Sequence, residues 1–89
     1  PEAYAAAQNN LGSAYEDKEL FDDSFAARSR VLRSDSPYIY AVAQLNMGIA
    51  YYNNGSLDEA VTAWNRVLEE DDPQSYAEAQ RNLALVNKH

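Results

Sequence analysis

The sequence predicts an all-α chain, a solenoid of antiparallel helix pairs, and three observations carry that expectation. The phrase AQNNLGSAY at 7–15 returns as AQLNMGIAY at 43–51 and, worn, as AQRNLALVN at 79–87, each copy 36 residues after the last. A fixed period of about 20 to 50 residues marks arrays in which each unit buries its apolar face on its neighbour. Within a unit, apolar residues step by three and four, the spacing of one helical face. Pro1, Pro37 and Pro73 stand in the same register, where proline suits the first turn of a helix.

Five helices are expected, at 2–17, 20–34, 37–53, 56–70 and 73–87. The first takes its assignment from register with the third: Tyr4 matches Tyr40, and Leu11, Gly12 and Tyr15 match Met47, Gly48 and Tyr51. The second follows Lys18-Glu19-Leu20, a corner with neither glycine nor cap. A non-glycine residue in a left-handed corner costs on the order of 1 kcal/mol. The third opens on Ser36-Pro37, a side-chain cap ahead of proline, and carries the stripe Tyr40, Ala43, Gln44, Met47, Ala50 and Tyr51. It closes at Asn53-Asn54-Gly55, which supplies a left-handed turn.

Ser56 with Glu59 reads as a capping box opening the fourth helix. The stripe there is Leu57, Ala60, Val61, Trp64, Val67 and Leu68, and Asp58 and Glu59 suit the positive helix start. The fifth helix opens on Asp72-Pro73 in the manner of the third. Further identities across the period are Asp22/Asp58, Ala27/Ala63, Arg30/Arg66, Val31/Val67, Leu32/Leu68 and Asp35/Asp71. The 89 residues therefore read as one domain, 1–89, with units at 1–36 and 37–72 and a partial unit at 73–89. Because the chain opens on Pro1 rather than Met, it reads as a piece of something longer.

Composition narrows the function. With no cysteine, disulfides, thiolate metal sites and cysteine nucleophiles are excluded. A net charge of −7 repels phosphate backbones and anionic lipid, so neither nucleic acid nor a membrane is the expected partner. No apolar run approaches the roughly 20 residues that span a bilayer. His89, the one histidine, is the last residue and reads as a frayed tail. Asp22-Asp23 and Asp58-Glu59 suit helix starts, and the run Glu69-Glu70-Asp71-Asp72 lacks calcium-loop spacing and reads as a solvated acidic corner. Arg28, Arg30 and Arg33 read as surface pairs. Neither a phosphate loop nor a nucleophile–base pair is present, so no enzyme activity and no cofactor are expected.

A helix pair with Gly after Leu or Met, Tyr three residues on, and Ala then an aromatic in the second helix resembles the tetratricopeptide repeat. The match in unit two is Met47, Gly48, Tyr51, Ala60, Trp64 and Pro73. In unit one it is Leu11, Gly12, Tyr15 and Pro37, with Ser24 and Arg28 where Ala and the aromatic belong. Only Leu83 fits in the partial unit, beside Ala84 and Asn87. The family repeats every 34 residues or about that, so this is a longer variant, and Gln8, Gln44 and Gln80 fill its large apolar position in the first helix. These glutamines are expected to pack near the helix crossing and bond the next helix.

The resemblance implies a right-handed solenoid whose first helices line a concave groove that binds a protein or an extended peptide. Groove positions carried over this way are Asn9, Asn10, Val42, Leu45, Asn46, Ile49, Tyr52, Asn53, Arg81 and Asn82. Asn10, Asn46 and Asn82 recur at one step, similar to the asparagine ladders of some family members, and a primary amide both donates and accepts. The alternative is that each amide bonds a neighbouring helix and sets register. Val42, Leu45, Ile49 and Tyr52 make an apolar strip peculiar to the middle copy, available to a partner's side chain or to a second copy of the chain. A basic clamp for a C-terminal carboxylate is not expected, since its positions hold Asn9, Ser13, Asn46, Glu78 and Asn82. The expected role is a peptide-binding scaffold module. The alternative is a structural spacer or an oligomerisation segment acting through open repeat ends or the apolar strip.

Overall fold

The computed structural model describes residues 1–87, and among them there are five α-helices and no strand. These are α1 (Glu2–Asp17), α2 (Phe21–Ser29), α3 (Pro37–Asn53), α4 (Leu57–Asn65) and α5 (Pro73–Asn87). The tail at His89 falls outside the described residues. The period is physical: α2 and α4 begin and end 36 residues apart.

The starts of α3 and α5 form as their sequences predict. Ser36 Oγ accepts from the Ile39 N–H at 3.2 Å, and Asp72 Oδ2 accepts from the Ser75 N–H at 3.3 Å and from the Ser75 hydroxyl at 2.6 Å. The capping box at Ser56 does not form: its side chain makes no cap hydrogen bond. The reciprocal half is pre-empted as well, because the Ser56 N–H, which Glu59 was to accept from, already donates to the Tyr51 carbonyl at 2.8 Å. That bond, with Gly55 N–H to the Tyr52 carbonyl at 3.1 Å, closes a Schellman turn around Gly55 at φ +85°. The first hairpin turns the same corner. Leu20 N–H donates to the Tyr15 carbonyl and Glu19 N–H to the Glu16 carbonyl, both at 2.9 Å, and Glu19 takes φ 61° without being glycine.

The second helices are shorter than expected, ending at Ser29 and Asn65 rather than at 34 and 70. Arg30 and Val31 donate three residues back, to Ala27 and Arg28, and Arg66 and Val67 do likewise, tightening the last turn. Beyond that, Asp35 Oδ2 accepts the Leu32 N–H at 3.2 Å, a donor that a continuing helix would send to the Arg28 carbonyl. A short acidic side chain thus competes with the helix ladder. Val31 and Val67 turn inward at this point and are almost wholly buried.

Each short second helix folds back on the first helix before it, and α3 also meets α1, α2 and α5. The larger core joins α3, α4 and α5 through Ala41, Leu45, Ala60, Trp64, Val67, Ala79 and Leu83. A smaller one joins the first pair to α3 through Ala5, Val31 and Ala43. Across the same joint Phe25 stacks on Tyr51 with ring centroids 3.9 Å apart. The two inter-hairpin loops are tied by Arg33, whose Nε and Nη2 each donate to Asp71 at 2.7 Å, with Glu70 at 3.3 Å. The acidic corner is therefore only partly solvated: the Asp71 side chain is 2 % exposed, and Asp72 is a helix cap.

Because Glu19 is exposed and holds a left-handed φ, Glu19→Gly is expected to stabilise the chain by about 1 kcal/mol. Gly55→Ala is expected to destabilise it by a similar amount, about 1 kcal/mol. Urea denaturation of the two variants beside the parent measures both.

Candidate functional site

Each first helix is crossed by its partner at a glycine, and the two crossings hold opposite chemistry. At Gly48 the pyrrole edge of the Trp64 indole lies against the backbone: a Cβ there would overlap Nε1 and Cδ1 and stand 2.7 Å from Cε2. The Trp64 Nε1–H donates to the Leu45 carbonyl at 3.3 Å, so the ring is buried without an orphaned donor. At Gly12, one period earlier, the side chain in that place is Arg28, 1 % exposed. Arg28 donates from Nη1 to Glu16 Oε2 at 2.8 Å, from Nη2 to Ser13 Oγ at 2.9 Å, and from Nε to Asn9 Oδ1 at 3.3 Å. Ser24 Oγ lies a further 3.4 Å from Nη1.

Every member of that network has an apolar counterpart 36 residues on. Asn9, Ser13, Glu16, Ser24 and Arg28 correspond to Leu45, Ile49, Tyr52, Ala60 and Trp64. One backbone slot is thus filled twice, once by a guanidinium with its acceptors and once by an indole with its apolar shell. Arg28 is therefore not the surface residue its sequence suggests. A buried guanidinium without acceptors would be prohibitive, and the exchange of all five positions together supplies them.

Between α3, α4 and α5 lies a surface cleft of about 140 Å³, lined by Ile49, Tyr52, Trp64, Asn82, Leu85 and Val86. Tyr52 leans over Trp64 with ring centroids 6.0 Å apart. Ile49, Tyr52 and Leu85 are large apolar residues left 40, 45 and 58 % exposed. A second cleft of about 210 Å³ lies against α4, bounded by Tyr51, Asp58, Glu59, Thr62 and Arg66. Burial first, and the charge of Glu59 second, push the Tyr51 hydroxyl above its usual range.

The sequence-chosen groove residues divide under this geometry. Ile49, Tyr52 and Asn82 come together at the first cleft. Leu45 does not join them: it is 5 % exposed in the core, because α4 and α5 close over it. Asn9 has its amide oxygen engaged by Arg28. Val42 and Asn46 are half-buried on α3, whereas Asn10 on α1 and Asn53 at the end of α3 are exposed. Arg81 is exposed, 3.9 Å from Glu78. Among the described residues, the side-chain hydrogen bonds leave Asn10, Asn46 and Asn82 uninvolved. The glutamines do not behave as a set. Gln8 accepts from Arg30 Nη1 at 3.4 Å within its own pair, Gln80 is exposed, and Gln44 is buried with Oε1 lacking a partner.

Sequence reasoning missed Trp64 as a cleft residue, and it missed the role of Arg28. The available signal was register: Gly12/Gly48 and Arg28/Trp64 share one offset. Among the described residues no group of His, Cys, Asp or Glu is placed to hold a metal, and no helix is long and apolar enough to cross a membrane. No protein-family model matches the chain, and no curated protein or solved structure matches it. The class of the molecule thus rests on its own residues: an all-helical chain of repeated helical hairpins with an apolar surface cleft.

Glu16→Ala is expected to cost about 2 kcal/mol, since it strips the counter-ion from a buried guanidinium but from its part-exposed side. Exchanging all five slot residues for their counterparts (Asn9→Leu, Ser13→Ile, Glu16→Tyr, Ser24→Ala, Arg28→Trp) is expected to leave stability equal or higher, as for other buried ion pairs replaced by packed apolar groups. Urea denaturation reads both, and an unfolded five-residue variant would show that the slots are not interchangeable.

Proposed function

We propose that this chain is a tetratricopeptide-type repeat module, a right-handed helical solenoid that binds an extended peptide along its first helices and performs no chemistry. The observation that carries this reading is the cleft at Ile49, Tyr52, Trp64, Asn82, Leu85 and Val86. Three large apolar side chains stay partly in water there, beside a half-buried amide. An apolar cleft with a convergent polar group is the usual form of a ligand site. Asn46 and Asn82 support it, because their amides are uncommitted to other described side chains and can meet a peptide backbone. Asn10 takes the same role at the far end of the groove.

Panning a random dodecapeptide display library on the immobilised chain tests the proposal. Recovered peptides should bind Asn46→Ala about fivefold more weakly, the loss of one hydrogen bond, and Tyr52→Ala about tenfold more weakly, the loss of an aromatic contact. Both variants should melt near the parent. Peptides indifferent to both substitutions, or no peptides at all, would sink the groove reading.

A second reading, self-association or stacking on another repeat, is favoured by one observation. In α3, Tyr40, Ala43, Met47 and Ala50 are buried or half-buried. Their register partners in α1, namely Tyr4, Ala7, Leu11 and Ala14, are exposed. The outer face of α1 is therefore composed like a covered one. Light scattering across a concentration series is expected to show mass rising with concentration, and Leu11→Glu should abolish the rise. A monomer throughout would remove this reading.

A further inference from the structure

Resting on the peptide-binding reading, we infer the chemistry of the peptide: a large apolar side chain for the cleft, with a lysine or arginine about three residues away on the side of unit one. The cleft opens at the last turns of α3 and α5, since Ile49 and Tyr52 come from one and Leu85 and Val86 from the other. That end of the molecule is where the hairpins turn, and carboxylates gather there. Asp17, Glu19, Asp22 and Asp23 lie at the first turn and Asp58 and Glu59 at the second, six carboxylates against Lys18 at the first turn and Arg66 across the cleft from Asp58 and Glu59. Neither α1 nor α3 has a basic residue in its last turn, and although Lys18 caps α1, the negative end of α3 has no such cation and adds to the field.

The geometry then places the charge relative to the cleft. Glu16 and Asp17 occupy in α1 the positions that Tyr52 and Asn53 occupy in α3. Glu16 is engaged by Arg28, which leaves Asp17, the next residue, as the exposed carboxylate at the end of α1. Packed helices lie about 8–10 Å apart, and an extended chain advances about 3.3 Å per residue. A side chain three residues from the one in the cleft thus stands over the end of α1. An acidic side chain there would meet a surplus of like charge, since among the described residues Lys18 is the one exposed cation at the first turn and Arg28 is buried and already paired. A basic side chain finds complementary potential, which sets both preference and association rate.

The lone tryptophan makes this measurable, because the Trp64 indole N–H gives one nitrogen–proton resonance at the floor of the cleft. The ¹⁵N-labelled chain is titrated with capped Gly/Ser peptides carrying one Leu and, about three residues before or after it, either two Lys or two Glu. A third peptide keeps the lysines and replaces Leu by Gly. The expected result is a shift of the indole signal by the Leu/Lys peptide in one of its two orders, about fivefold tighter than its Leu/Glu twin at about 50 mM salt and nearly equal at about 500 mM. Asp17→Lys should erase the difference and leave the Leu/Glu peptide bound. Leu peptides that bind with no charge preference, or with preference for Glu, overturn the inference while leaving the groove reading intact. Failure of every Leu peptide to move the indole overturns both.

Discussion

The close crossing of a second helix over the glycine of a first helix is the contact on which the rest of this structure depends. With hydrogen at Gly48, the Trp64 ring rests on backbone and reaches the Leu45 carbonyl. From that seat it packs with Leu45, Ala60, Val67 and Leu83 on the inside and forms the floor of the cleft on the outside. A side chain at position 48 would lift α4 from α3, and the core and the cleft would go together. The short span of α4, from Leu57 to Asn65, makes this one large residue more important than it would be on a longer helix.

The first hairpin meets the same constraint with different chemistry. Its slot is filled by Arg28, and close packing is kept because Asn9, Ser13 and Glu16 turn polar groups toward the guanidinium. A charged residue in an interior is tolerated only when its donors are met, so these positions form one set. The consequence is asymmetry between the two crossings. At the first lies a satisfied ion pair that offers nothing to an apolar side chain. At the second lies an open aromatic and aliphatic cleft.

Much of the architecture was legible in the chain. Period, the caps at Ser36 and Asp72, and the glycine turn at Asn54-Gly55 all act within a few residues, so local sequence specifies them. The ends of α2 and α4 were not legible, because their apolar stripes run on past the points where the last turns tighten, and after α2 Asp35 takes the Leu32 N–H. Periodicity reports which side faces inward but not which backbone donor a side chain will capture. The reciprocal half of the capping box failed for a similar reason: the preceding turn had already used the Ser56 N–H. Of the groove residues, Ile49, Tyr52 and Asn82 reached the cleft, whereas Leu45 went to the core because α5 covers it, a contact with no mark in the α3 sequence.

By itself, the sequence determined that this chain is helical and repeats every 36 residues, because side-chain period and capping are local properties of the polymer. Only the tertiary structure decided which apolar residues are covered and which charges are paired. Leu45 and Ile49 lie on the same helix, one turn apart, and are alike in chemistry; only the first is roofed by α5. Arg28 and Arg33 are both arginines of the first unit; one is enclosed by α1, and the other reaches across to Asp71. Burial and pairing depend on what the neighbouring helix brings, and that is set by packing across residues distant in sequence.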